Sequence, residues 1–296
     1  MKEIVIISGK GGTGKTTFAA AFAVLAADEV VVADCDVDAA DMHLLLGPDF
    51  GHAEAFVSGE TAVIDPESCN GCDRCGEVCQ FDAVRLVDGA HVIDPIACEG
   101  CGYCARVCPE AAITSEPRQV GHWYRSRLST GGTMVHARLG IGADNSGKLV
   151  TRVKNEARRV AGELGRELVL VDGSPGVGCP VVASLAGASL VVLVTEPTVS
   201  GRHDLERVHE LVRRFDIPCA CILNKSDLNP DVRRQLLDHL AAHDVTLLAE
   251  FPYDEAFTAA ITAGRSIVDE DPDRRRDLAA VWTRITRLLE PEEART

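Results

Sequence analysis

Residues 8–17 read Ser8-Gly9-Lys10-Gly11-Gly12-Thr13-Gly14-Lys15-Thr16-Thr17 and fit the pattern G-x-x-x-x-G-K-[ST], with Gly9, Gly14, Lys15 and Thr16 in the diagnostic places. The flanks decide its meaning. Glu3-Ile4-Val5-Ile6-Ile7 before it is an apolar, β-branched run that predicts a buried strand, and the Ala-rich Phe18 to Ala27 after it predicts a helix. A strand, a glycine loop and a helix N-terminus together turn free backbone N–H groups toward an anion. Glycines are required because side chains would block the approach of backbone to phosphate. Lys15 is then placed for β- and γ-phosphates, and the Thr16 hydroxyl for Mg²⁺.

Lys10, directly after the first glycine, makes the loop more specific. The run Lys-Gly-Gly-Thr-Gly-Lys-Thr-Thr resembles the deviant phosphate loop of the MinD/ParA ATPase class, which includes the nitrogenase iron protein. The resemblance implies ATP bound along Gly9–Thr17 and an ATP-dependent homodimer, with Lys10 reaching the partner subunit's phosphates as an arginine finger does.

The 296-residue chain is long enough for one large domain or two smaller ones. With 46% hydrophobic and 25% charged residues and no apolar run of membrane-spanning length, its composition is that of a soluble globular protein. The N-terminus runs straight into a strand, so no export signal is expected and the cytoplasm is the expected location. A formal charge of −15 opposes sequence-independent nucleic-acid binding, and 4% aromatics offer no base-stacking platform. Twelve cysteines in such a chain point to metal rather than disulfides.

Val30-Val31-Val32-Ala33 predicts a second buried strand ending in Asp34-Cys35-Asp36-Val37-Asp38. Carboxylates at a strand's carboxyl end beside a phosphate loop are costly unless a cation uses them; otherwise they are strand-end caps. The resemblance makes this switch I and puts Asp36 near Mg²⁺ and the attacking water.

The pattern then changes. Val63-Ile64-Asp65-Pro66, followed by Cys69-x2-Cys72-x2-Cys75-x3-Cys79, is echoed 29 residues later by Val92-Ile93-Asp94-Pro95 and Cys98-x2-Cys101-x2-Cys104-x3-Cys108-Pro109. Each run carries the spacing of bacterial two-cluster ferredoxins, in which the fourth cysteine ligates the other cluster. By that crossed rule Cys69, Cys72, Cys75 and Cys108 hold one [4Fe–4S] cluster, and Cys79, Cys98, Cys101 and Cys104 the other. Four-cysteine zinc sites are the competing reading, but they want two C-x-x-C pairs with a longer loop between. Gln80 stands where that family's pattern has proline; Pro109 keeps it. Residues 61–115 hold nine acids (Asp65, Glu67, Asp73, Glu77, Asp82, Asp88, Asp94, Glu99, Glu110) and three bases (Arg74, Arg85, Arg106), and 3 − 9 = −6 fits either docking to a basic redox partner or plain solubility.

Beyond the cysteines, residues 117–128 and 132–139 predict a hairpin around Thr130-Gly131-Gly132, and Ser146 to Leu164 a helix with Ser146 as its N-cap. Glu167-Leu168-Val169-Leu170-Val171-Asp172 followed by Gly173-Ser174-Pro175-Gly176 matches a Walker B strand and switch II, with Asp172 reaching Mg²⁺ through water and Gly176 sensing the γ-phosphate. Cys179 lies seven residues past Asp172, as does a cluster-ligating cysteine in the nitrogenase iron protein, but that protein's second ligating cysteine has no counterpart; a small buried apolar role is the favoured reading. Strand Ser189–Thr195, helix 201–215, strand Pro218–Leu223 and strand Val245–Ala249 follow, with Cys219 and Cys221 read as core. Asn224, at a strand end, resembles the class's adenine-reading position, and the turn at Pro252-Tyr253-Asp254 is expected to line the adenine pocket. The last helix, about 273–290, packs Leu278, Val281, Trp282, Ile285, Leu288 and Leu289 on the sheet. Its acidic tail Glu290-Pro291-Glu292-Glu293 disfavours a membrane anchor.

Strands alternating with helices predict an α/β, doubly wound, mostly parallel P-loop NTPase over residues 1–60 and 116–296, carrying an inserted α+β two-cluster ferredoxin-like domain at 61–115. The whole resembles MinD-superfamily ATPases with an inserted ferredoxin domain. It implies ATP, Mg²⁺ and two [4Fe–4S] clusters, hydrolysis of ATP, and gated electron transfer to an unidentified redox or iron–sulfur partner. Two alternatives are an Mrp-like cluster carrier, although no C-x-x-C lies near the C-terminus, and a redox-sensing positioning ATPase.

Overall fold

The computed structural model describes residues 1–140 and 146–290. In chain order the elements are β1 (Lys2–Ile7), α1 (Lys15–Ala26), β2 (Val30–Asp34), α2 (Met42–Leu46), β3 (His52–Ile64), α3 (Arg74–Val78), β4 (Val84–Val87), β5 (Ala90–Ile93) and α4 (Tyr103–Val107). Next come β6 (Ile113–Arg127), β7 (Thr133–Leu139), α5 (Ser146–Glu163), β8 (Leu168–Asp172), α6 (Cys179–Leu185), β9 (Leu190–Thr195), α7 (Val199–Arg214) and β10 (Cys219–Leu223). The chain closes with α8 (Pro230–Ala242), β11 (Thr246–Glu250), α9 (Glu255–Thr262), α10 (Ile267–Glu270) and α11 (Pro272–Leu288).

One sheet runs β11-β10-β9-β1-β8-β2-β7-β6-β3, and from β11 through β7 each neighbouring pair is parallel. Parallel strands need both faces covered, which is why β1, β2, β8 and β9 are near-continuous apolar runs. Ile4 and Ile6 join one core cluster with Phe18 and Phe22 of α1 and Leu278 and Ile285 of α11, while the alternate residues Val5 and Ile7 are equally buried. Trp282 stacks on Phe22 with centroids 5.5 Å apart. The predicted final helix therefore packs as expected; residues 291–293 of the acidic tail lie outside the described residues. No helix among the described residues is long and apolar enough to cross a membrane.

The chain divides into two compact units, the first comprising Met1–Glu54, Trp123–Arg138 and the described residues from Ser146 onward. The second is Ala55–His122 with the described residues Leu139 and Gly140. β3 and β6 each begin in one unit and end in the other. β3 has no counterpart in the sequence reading, because only Ser58 and Ala62 of its thirteen residues are buried and no alternating apolar face marks it.

In the second unit the duplication is written in the backbone. Asp65 N–H donates to Ala112 O at 2.8 Å and Asp94 N–H to Ala83 O at 2.7 Å, so each half reaches across to the other at equivalent positions. Asp65 and Asp94 each cap the following turn, accepting from Glu67 N at 3.1 Å and Ile96 N at 2.9 Å. Each half contributes one five-residue helix, α3 or α4, and β4 pairs antiparallel with β5.

Candidate functional site

A cavity of about 390 Å³ opens at the carboxyl ends of the parallel strands, between the glycine loop and α9. Of the predicted residues, Gly11, Gly12, Gly14, Lys15, Thr16, Thr17, Asp36 and Asn224 line it. Gly14 adopts φ +96° as the N-cap of α1, and a Cβ there would sit 2.6 Å from the Asn224 amide nitrogen. Gly9 is pressed against α7, where a Cβ would lie 2.4 Å from the Asp204 carbonyl. Both positions exclude any side chain.

Lys15 is the centre of the charge arrangement. Its Nζ lies 2.7 Å from Asp172 Oδ1 and 3.3 Å from Asp36 Oδ2, all three side chains being largely buried. Burial opposes the Lys15 charge, but Asp172 and Asp36 outweigh it and raise its pKa. Asp34 stands beside Asp172 across the β2–β8 pair. Burial first, then Asp172, push the Asp34 carboxyl well above the usual range; burial also raises Asp36, against the pull of Lys15. Asp34 Oδ2 and Asp172 Oδ2 are buried without a hydrogen-bond partner. Carboxylates in excess over one lysine, with an orphaned oxygen on Asp172 and the Thr16 hydroxyl nearby, make a hard-oxygen donor set suited to Mg²⁺ completed by phosphates and water.

The other predicted residues sit around the cavity without lining it. Lys10 turns away, its Nζ 2.7 Å from Glu196 Oε1, 3.1 Å from Thr198 Oγ1 and 3.0 Å from Ser200 Oγ. Thr13 is buried with its carbonyl accepting from the Asn224 amide at 2.9 Å, and Gly176 N–H donates to Ser8 O at 2.9 Å. Pro252 is exposed outside the cavity; its neighbours Tyr253 and Asp254 line the wall together with Phe257, Thr258 and Ile261 of α9. Pro175, rather than Gly176, is the switch II residue on the wall. The sequence reading missed Lys225, whose Nζ bridges Gly12 O at 3.0 Å and Glu196 Oε2 at 2.7 Å. Burial disfavours the Glu196 charge, yet Lys10 and Lys225 hold its carboxyl below the ordinary range.

In the second unit the eight cysteines sort into two recesses. Cys69, Cys72, Cys75 and Cys108 line one, and Cys79, Cys98, Cys101 and Cys104 line the other. Each recess thus draws three cysteines from one run and the fourth from its duplicate. Cys221 is buried core and Cys219 half-buried on β10, whereas Cys179 corrects the expectation of burial: it is exposed at the start of α6. Cys179 is the first residue of α6, between Gly178 and Pro180, and there it abuts Gly147 of α5 without being enclosed.

The chain matches the family described as CobQ/CobB/MinD/ParA nucleotide binding domain over residues 4–267. It is 35% identical over 229 residues to "Uncharacterized protein MJ0578" of Methanocaldococcus jannaschii, a match covering 77% of this chain and 79% of that protein. Its fold is similar to that of the Pyrococcus furiosus cell division ATPase MinD, with a TM-score of 0.57 at 19% identity over 97% of this chain and 99% of that one. It is also similar to the Pyrococcus horikoshii septum site-determining protein MinD complexed with Mg-ADP, with a TM-score of 0.57 at 18% identity over 97% and 96%. The match, which spans both the phosphate loop and β8, makes this chain a member of the CobQ/CobB/MinD/ParA nucleotide-binding domain family.

Proposed function

We propose that this protein hydrolyses ATP as a homodimer and uses the cycle to gate electron transfer through two [4Fe–4S] clusters held in its cysteine-rich unit. The observation that carries the reading is the sorting of the cysteines: in the two-cluster ferredoxins that the spacing resembles, each site borrows its fourth thiolate from the other run, and the two recesses have that composition. Each recess is lined by four cysteines, the number of thiolates a cubane requires. When bound, the clusters would supply one-electron storage.

At the nucleotide site, Lys15 and the loop N–H groups would hold the phosphates, and Thr16, Asp36 and Asp172 would hold Mg²⁺, which would supply charge neutralisation at the phosphates. Lys15 already spans Asp172 and Asp36, so a phosphate entering beside it exchanges one anionic partner for another. Lys10, outside its own cavity and parked on Glu196, is available to a partner subunit. Asn224 and the Tyr253–Asp254 turn are assigned to the adenine.

Anaerobic purification with iron and sulfide quantification tests the cofactor assignment: about eight of each per chain are expected for two cubanes. Zinc, or no iron, overturns it. Reduction potentials measured with ATP, ADP and no nucleotide test the gating, and identical values dismiss it.

A further inference from the structure

His91, on β5, lines the recess of Cys69, Cys72, Cys75 and Cys108 and is 7% exposed. Its Nε2 lies 2.8 Å from Asp73 Oδ1, while Nδ1 is buried without a hydrogen-bond partner. The duplication supplies an internal control. Twenty-nine residues earlier the equivalent position is Ala62, which is 3% exposed and lines the other recess. The equivalent of Asp73 is Gly102, and both take a left-handed backbone, φ +61° and +71°. The second recess therefore closes with the residues that backbone and core favour, a glycine at positive φ and an alanine in the interior. The first carries a non-glycine residue in the left-handed region and a buried, unpaired imidazole nitrogen, both unfavourable as they stand. The same fold displays the cheaper solution, so the costlier pair calls for a ligand on Nδ1.

Resting on the cluster reading above, we infer that His91, oriented by Asp73, donates a hydrogen bond from Nδ1 to sulfur of the cluster held by Cys69, Cys72, Cys75 and Cys108, and so sets its potential apart from that of its twin. The contact of Nε2 with Asp73 fixes the ring and leaves Nδ1 as its unpaired nitrogen. A donor to sulfur stabilises the more negative, reduced state and raises the potential. The recess of Cys79, Cys98, Cys101 and Cys104 has Ala62 in that place and no imidazole on its wall.

The test is an EPR-monitored redox titration of the anaerobically purified full chain beside His91→Ala and His91→Asn. His91→Ala is expected to shift one cluster's equilibrium at least tenfold toward the oxidised form, about 59 mV for a one-electron couple, with the other cluster unmoved. His91→Asn, whose amide nitrogen stands near the Nδ1 position without the reach to Asp73, is expected to recover part of the shift. Unchanged potentials, or two clusters moving together at full iron content, overturn the inference while leaving the cofactor assignment intact. Absence of iron from the wild-type chain overturns the cofactor assignment itself. If His91→Ala loses iron, the wild-type chain labelled with ¹⁵N-histidine decides by pulsed EPR: a weak nitrogen coupling to one reduced cluster is expected, and its absence from both overturns the inference.

Discussion

Asp34 is a case in which a side chain costs stability where it stands. Its Oδ1 accepts from Asp36 N–H at 3.1 Å, but its Oδ2 is orphaned beside the equally orphaned Oδ2 of Asp172. Asp34→Asn keeps the acceptor, replaces a carboxyl whose ionised form burial and Asp172 disfavour, and turns an amide N–H₂ toward Asp172. We expect a gain of about 1–2 kcal/mol at pH 7.5, read as a higher urea midpoint in EDTA; a lower midpoint would show that the carboxylate is stabilising. Lys10 differs in that its contacts, with Glu196, Thr198 and Ser200, all lie off the cavity wall. Replacing it by alanine leaves the cavity wall untouched, so nucleotide affinity should hold within about threefold while turnover falls at least ~100-fold through loss of a trans cation. Equal loss of affinity and turnover would make Lys10 a ligand to its own subunit's nucleotide.

Elements were legible in the sequence where chemistry or burial fixes spacing. The glycine loop before α1, the strand β8 and the two cysteine runs were legible because each carries a fixed spacing, and the structure places the loop on the cavity wall, Asp172 at the end of β8 and the eight cysteines in two recesses of four. The wall formed by Phe257, Thr258 and Ile261 was not legible, because α9 meets the glycine loop only through the assembled sheet and no local pattern marks it. α8 carried an overlooked signal: Asn229 accepts from Asp231 N–H and Val232 N–H at 3.1 Å each, with Pro230 opening the helix. The α7–α8 pair also buries His209 against His239 and His243, with ring centroids 5.2 Å away in each case. Burial and these neighbouring imidazoles lower His209 from 6.5 to about 4. Since the unfolded chain binds the proton first, stability is fully present above about pH 6.5 and lost as pH falls toward 4. His209→Gln should flatten that acid limb by at most about 2 kcal/mol, after allowing for solvent screening; urea midpoints between pH 4.5 and 7.5 that fall as steeply as wild type would exclude His209 as the cause.

At the scale of the whole molecule, covalent continuity is what makes coupling between nucleotide and cysteines worth testing. Asp36, Ala39 and Asp41 line the nucleotide cavity, the chain then runs through α2, and β3 continues from one unit into the other, as β6 does in return. Both of these passages are made within strands. If the proposed clusters and the nucleotide share one equilibrium, their linkage is reciprocal: an ATP-induced tenfold shift in a cluster's reduction equilibrium, about 59 mV, requires that reduction change ATP affinity tenfold. We expect both measurements to move together in the wild-type chain and both shifts to vanish in Lys10→Ala, where nucleotide still binds but the partner's cation is gone. A potential that responds to ATP while affinity ignores the redox state would violate the cycle and point to a change in oligomer during the titration. Clusters and nucleotide each behaving as though the other were absent would reduce the protein to two independent functions sharing one chain.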